Sequence, residues 1–77
     1  MIYNESNIFE DNEMIETAEE FLDNNLNVSE TSRKLYLHRN TLTYRLDKIA
    51  GETGLDVRKF SDAVTFRLIT MIKKLLK

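Results

Sequence analysis

Apolar residues recur at intervals of three and four along most of the chain, and no stretch alternates apolar with polar over the length of a strand. Met14, Ile15, Ala18, Phe21 and Leu22 make one stripe, which predicts a first helix from about Glu10 to about Asn24. Asn24 and Asn25 suit a left-handed stop, and residues 1–9 read as a flexible lead-in from which Ile8 and Phe9 can pack. Asn27 followed by Glu30 resembles a capping box and opens a short second helix, with Val28, Thr31 or Ser32, and Leu35 facing inward. That helix should end near Leu35 or Tyr36.

A third helix is expected from about Arg39 to about Thr53. At 100° per residue, Leu42, Leu46, Ile49 and Ala50 gather on one face, while Asn40, Thr41, Tyr44, Asp47, Lys48 and Gly51 lie opposite. Gly54 is the expected stop, and Gly51 inside the helix costs about 1 kcal/mol relative to Ala, which predicts a frayed last turn. Residues 56–59 suit a short turn. Ser61 is the expected N-cap of a fourth helix that runs to Leu75 or Leu76. Its inward stripe is read as Val64, Leu68, Met71, Ile72 and Leu75, widened by Phe66, Ile69 and Leu76 beyond what one face needs. The fold class is therefore all-α, a bundle of four to five helices over residues 10–77.

Within this frame, residues 27–50 have the layout of a helix-turn-helix. Ser32 supplies a small residue for the helix crossing, Leu35 and Leu37 flank the turn, and Leu42 and Leu46 anchor the second helix. What stays outward at the head of that helix is polar and basic. Arg39 has the fork for guanine and Asn40 the amide for adenine, while Thr41 can bond a phosphate or touch a thymine methyl. Tyr44, Arg45 and Lys48 are placed for phosphates, with Ser29, Thr31 and Arg33 on the preceding helix. Plainer roles stand beside these: Asn40 or His38 as helix cap, Tyr36 as partly buried packing, Arg33 and Lys34 as solvated charges.

Composition changes the picture in one respect. The net charge is −2, yet residues 1–30 hold nine acids and no Lys or Arg, while residues 31–77 hold all 11 Lys and Arg against four acids, a balance of +7. A polyanion responds to the local field, so a basic half can bind while an acidic half faces away. With no cysteine and one histidine, the chain offers neither disulfides nor a metal cluster, and no cofactor is expected. It also lacks a nucleophile paired with a base and a Gly-rich phosphate loop, which argues against an enzyme. No apolar run is long enough to span a bilayer and no signal peptide opens the chain, so the expected location is the cytoplasm.

The run His38-Arg39-Asn40-Thr41-Leu42 with Tyr44-Arg45-Leu46 is far more specific than a generic helix-turn-helix pattern. With Asn27 to Thr31, Arg33, Leu35, Ile49 and Thr53 to Asp56, it resembles the C-terminal DNA-binding domain of PucR-type and sugar-diacid-regulator (CdaR-like) bacterial transcription factors. The resemblance covers roughly residues 13–75. It is more distantly similar to Fis-type domains, and homeodomain-like in its helix-turn-helix. Arg39 and Thr41 match the Fis positions that contact DNA, and the His38 and Tyr44 positions face DNA there too. Three positions depart from the pattern: Ser32 for the usual Ala, Leu26 where Gly is common, and Gly51 for a better helix former. Leu26 leaves Asn25 to take the left-handed turn.

The resemblance implies double-stranded DNA as partner, an N-terminal sensor domain in the full protein, and a role in transcription regulation. The apolar excess on the last helix adds a homodimer to these expectations. The alternative is a helical protein-interaction or dimerisation module without direct DNA contact.

Overall fold

The computed structural model describes residues 7–76, and residues 1–6 of the expected lead-in lie outside them. A single 3₁₀ turn, Ile8–Glu10, precedes four helices: α1 (Asn12–Asp23), α2 (Val28–Leu35), α3 (Arg39–Thr53) and α4 (Phe60–Leu75). No strand occurs among the described residues. The helix α1 is the hub, packing against the 3₁₀ turn and the other three helices.

Residues 8 and 9 belong to the fold. Ile8 is buried, and the Phe9 ring lies 5.3 Å from that of Phe66 on α4. They join a core of Met14, Ala18 and Phe21 from α1, Leu42, Leu46 and Ile49 from α3, Val57 from the connector and Phe66. The connector is also tied by polar bonds. The Asp62 carboxylate accepts the Asp56 backbone N–H at 3.0 Å, and Asp56 accepts from the Arg58 backbone N–H at 3.0 Å and its Nε at 2.8 Å.

Each helix end has an identifiable cause. Asp11 caps α1 by accepting from Glu13 and Met14, and Asn27 caps α2 by accepting the Glu30 N–H at 2.8 Å. The reciprocal half of the capping box is not made, because the Glu30 carboxylate pairs with Arg33 instead. Both α1 and α2 end in Schellman-type bonds, Leu26 N–H to Phe21 and Leu37 N–H to Ser32, each at 2.9 Å. Gly54 ends α3 at φ 79°, as its position suggested, and the helix continues unbroken through Gly51 to Thr53.

Three sequence expectations need correction, and one open choice is decided. The left-handed turn after α1 takes Leu26 (φ 61°) as well as Asn25 (φ 59°). Packing of Leu26 against the core offsets the cost of that backbone. Thr31, not Ser32, fills the core from α2, with its hydroxyl satisfied by the Asn27 carbonyl at 2.7 Å. The cap residue of α4 is Lys59, without a side-chain cap bond, and Ser61 lies in the first turn. Finally, α4 is turned over. Ala63, Phe66 and Thr70 face the core, whereas Val64, Leu68, Met71, Ile72 and Leu75 are exposed.

Two outcomes test this packing. Phe66→Ala removes a fully buried ring and its contact with Phe9 and should cost about 3–5 kcal/mol in urea unfolding; a loss below about 1 kcal/mol would mean the α4 phase is wrong. The Arg58 guanidinium, then the Arg58 backbone N–H, hold the Asp56 carboxyl below the ordinary aspartate value of 3.8. A lowered folded pKa adds stability that is fully present above the unfolded value and is lost as pH falls through the folded one. Stability should therefore decline below about pH 4, and Asp56→Asn should flatten that decline. Parallel acid limbs for the two chains in urea titrations at stepped pH would exclude this assignment.

Candidate nucleic-acid interface

The second helix of the pair is held by one face only. Leu42, Leu46 and Ile49 are buried, while Arg39, Asn40, Thr41, Tyr44, Asp47 and Gly51 are exposed on the other side. His38 caps the helix, its Nδ1 accepting the Asn40 backbone N–H at 3.0 Å, so the plainer role for His38 holds while its ring stays at the surface. The side chains of Arg39, Asn40 and Thr41 make no hydrogen bond or ion pair with any described residue. They are presented at the helix N-terminus, where backbone N–H groups favour an anion.

Of the other expected contacts, Ser29 and Arg33 are exposed on α2. Thr31 is not available: it is 0% exposed, and both its hydroxyl and its N–H bond the Asn27 carbonyl. Arg45 is also committed inward. Its side chain is 17% exposed, one guanidinium nitrogen donates to the Thr17 hydroxyl at 3.0 Å and the other lies 3.2 Å from the Glu13 carboxylate. It ties α3 to α1 rather than reaching outward. Lys48 pairs with Glu52 at 3.1 Å, and this hydrogen bond and charge hold its ammonium above the ordinary lysine value of 10.5.

The expected separation into acidic and basic halves does not occur. Glu10, Glu13, Glu19 and Asp23 pair with Lys73, Arg45, Lys74 and Arg67 respectively, so the two halves interlock. Arg33, Lys48 and Arg58 are paired too. Among the described residues, Lys34, Arg39 and Lys59 remain without an ion pair, and two of these flank the turn between α2 and α3.

Three residues at this surface were not among the expected contacts. Tyr36, read as partly buried packing, is 95% exposed in the left-handed conformation (φ 57°). It follows directly on the last residue of α2, and a left-handed cap turns its side chain away from the helix. Lys34 is exposed two positions before it. Arg58 lies 2.9 Å from Asp47 and so offsets the one acid on the outer face of α3. No local pattern announces Arg58, whose partner is eleven positions away.

This arrangement defines a helix-turn-helix with a polar, one-sided second helix. The chain belongs to the family of the PucR C-terminal helix-turn-helix domain, whose model matches residues 14–72. An uncharacterised Bacillus subtilis (strain 168) protein is 41% identical over 54 residues, 70% of this chain and 18% of that one. The purine catabolism regulatory protein of the same organism is 31% identical over 67 residues, 87% of this chain and 13% of its own length. The carbohydrate diacid regulator of Escherichia coli (strain K12) is 56% identical over 32 residues, 42% of this chain and 8% of its own. The chain thus spans less than a fifth of each of these relatives. No solved structure matches. No helix among the described residues is long and apolar enough to cross a membrane.

The geometry separates Arg45 from Lys34. Arg45→Gln should lower unfolding stability by about 1.5–3 kcal/mol, the range for hydrogen bonds to charged groups. It should leave the slope of log affinity against log salt for duplex DNA unchanged. Lys34→Gln should leave stability within about 0.5 kcal/mol and reduce that slope by about 1. The opposite pattern, with Arg45 controlling the salt slope, would show that its guanidinium reaches a phosphate.

Proposed function

We propose that this chain is the sequence-specific, double-stranded-DNA-binding output domain of a bacterial transcription regulator. In this reading α3 enters the major groove by its N-terminal turns. Arg39 and Asn40 read base edges, and Thr41 and Tyr44 touch phosphate or a thymine methyl. Ser29, Arg33, Lys34, His38 and Tyr36 lie along the backbone and set register. Lys48, its charge shared with Glu52, is a weaker backbone contact. The observation that carries the reading is the unspent chemistry of the turn: Arg39, Asn40 and Thr41 are exposed and unbonded while most cations elsewhere are paired.

Names of the relatives, a purine catabolism regulator and a carbohydrate diacid regulator, support the regulatory role. Their much greater length supports a full protein in which a cytoplasmic sensor region precedes this domain. Two copies would occupy half-sites about 34 Å apart, as helix-turn-helix proteins do. The alternative, a protein-interaction module without DNA contact, draws on the exposed apolar row of α4. The outer face of α3, with the Asn40 amide, the Thr41 and Tyr44 hydroxyls and a glycine, does not favour it.

Arg39→Ala should weaken binding to a duplex selected from random sequence by about 1–3 kcal/mol and relax preference at one base pair. Binding titrations against selected and scrambled duplexes measure both effects. If the chain binds no duplex even at low salt, the reading fails.

A further inference from the structure

The helix α4 leaves an apolar row in solvent. Val64, Leu68, Met71 and Leu75 are 42–82% exposed and follow the alternating four-three-four spacing of a coiled-coil seam. Phe60, Ile72 and Leu76 border the row with similar exposure. Together these seven side chains offer on the order of 700 Å² of apolar surface, close to the ~800 Å² that each partner contributes to a standard interface.

The two ends of the row differ in shape. Beside its start, Leu22 and Leu26 of the α1 end and Phe60, Val64 and Leu68 line an open groove of about 410 Å³. At its far end Leu75 and Leu76 project, each at least 80% exposed. The rim is electrically quiet, because Arg67 and Lys74 are held by Asp23 and Glu19 of α1. A strongly charged partner therefore finds little to grip along Arg67 to Lys74, whereas a second copy of the same row meets only ion-paired cations there.

We propose that two copies of this chain pair through α4 in antiparallel fashion, with the two-fold axis near Leu68 and Met71. Val64 then faces the partner's Leu75, Leu68 packs against the partner's Met71, and the projecting leucines of each copy fill the groove of the other. The interface is isologous, as a two-fold dimer requires. A parallel alignment would leave both grooves empty. The proposal gives the paired half-sites a physical link and rests on the DNA reading only for that purpose.

Association is tested without DNA. The chain should sediment as a dimer at about 100 μM, and Leu68→Glu should raise the dissociation constant at least ~100-fold while circular dichroism stays unchanged. The chain has no native cysteine, so single introduced ones report geometry. Leu68→Cys faces position 71 of the other copy, so a mixture of Leu68→Cys and Met71→Cys chains should form a disulfide-linked dimer under mild oxidation. Leu75→Cys, about 16 Å along the helix from its own copy at 1.5 Å per residue, should not.

A monomer up to about 1 mM, or a dimer that survives Leu68→Glu, would overturn the proposal. So would linking of Leu75→Cys as readily as the mixed pair of Leu68→Cys and Met71→Cys chains. A dimer that binds no duplex leaves the interface standing and removes the DNA reading. A monomer that binds duplex does the reverse.

Discussion

The bond between Arg45 and Thr17 sets the orientation on which the rest depends. The guanidinium reaches from α3 to a buried hydroxyl of α1 at 3.0 Å, and that hydroxyl donates in turn to the Glu13 carbonyl at 2.8 Å. Burial of Leu42, Leu46 and Ile49 holds α3 on the core, but apolar contact is non-directional and tolerates small rotations. A directed polar clasp on one flank does not. With the rotation of α3 fixed, Asn40 and Tyr44 point away from the core and Thr17 is left with no unsatisfied atom. Recognition in a groove requires such a fixed helix, since a bidentate contact loses its advantage when its carrier turns.

Pairing across helices also explains the charge balance. An acidic first helix looks like a poor companion for a DNA-binding surface. Its carboxylates instead neutralise the cations that would otherwise spread over α3 and α4. Each exposed pair is worth little for stability, typically below 1 kcal/mol. Their effect is on distribution: they leave unpaired charge where α2 turns into α3. A field concentrated at that corner, where two of the three unpaired cations among the described residues lie, orients a polyanion better than the same charge spread over the surface.

Much of α3 was legible because its signals are local. His38 before it and Gly54 after it mark its ends, and three apolar residues at helical spacing fix its buried face. The second helix was nearly as clear, but Thr31 and Ser32 are both small and adjacent, and only packing against α1 and α3 chooses between them. On α4 the periodicity misled. Apolar residues occupy most of its circumference, so two arcs compete, and the core takes the one with Ala63, Phe66 and Thr70, where small residues allow close approach. Ion pairs such as Lys73 with Glu10 join residues too far apart in sequence for any pattern to show.

Tyr36 shows how a local cost and a surface role combine. A left-handed backbone at a residue with a Cβ costs roughly 1–2 kcal/mol, and glycine would avoid it. Leu26 accepts the same backbone but recovers the cost by packing on the core. Tyr36 recovers nothing that way, since its ring is almost wholly in solvent. Its N–H and that of Leu37 close the end of α2, yet glycine would make those bonds equally well. What glycine cannot supply is a rigid aromatic with a hydroxyl at its tip, standing beside Lys34 and ahead of Arg39. On the proposed DNA surface that hydroxyl is a phosphate donor on a side chain with few rotamers to lose. On that proposed surface, the strain at Tyr36 falls where binding, and not folding, would gain from the side chain.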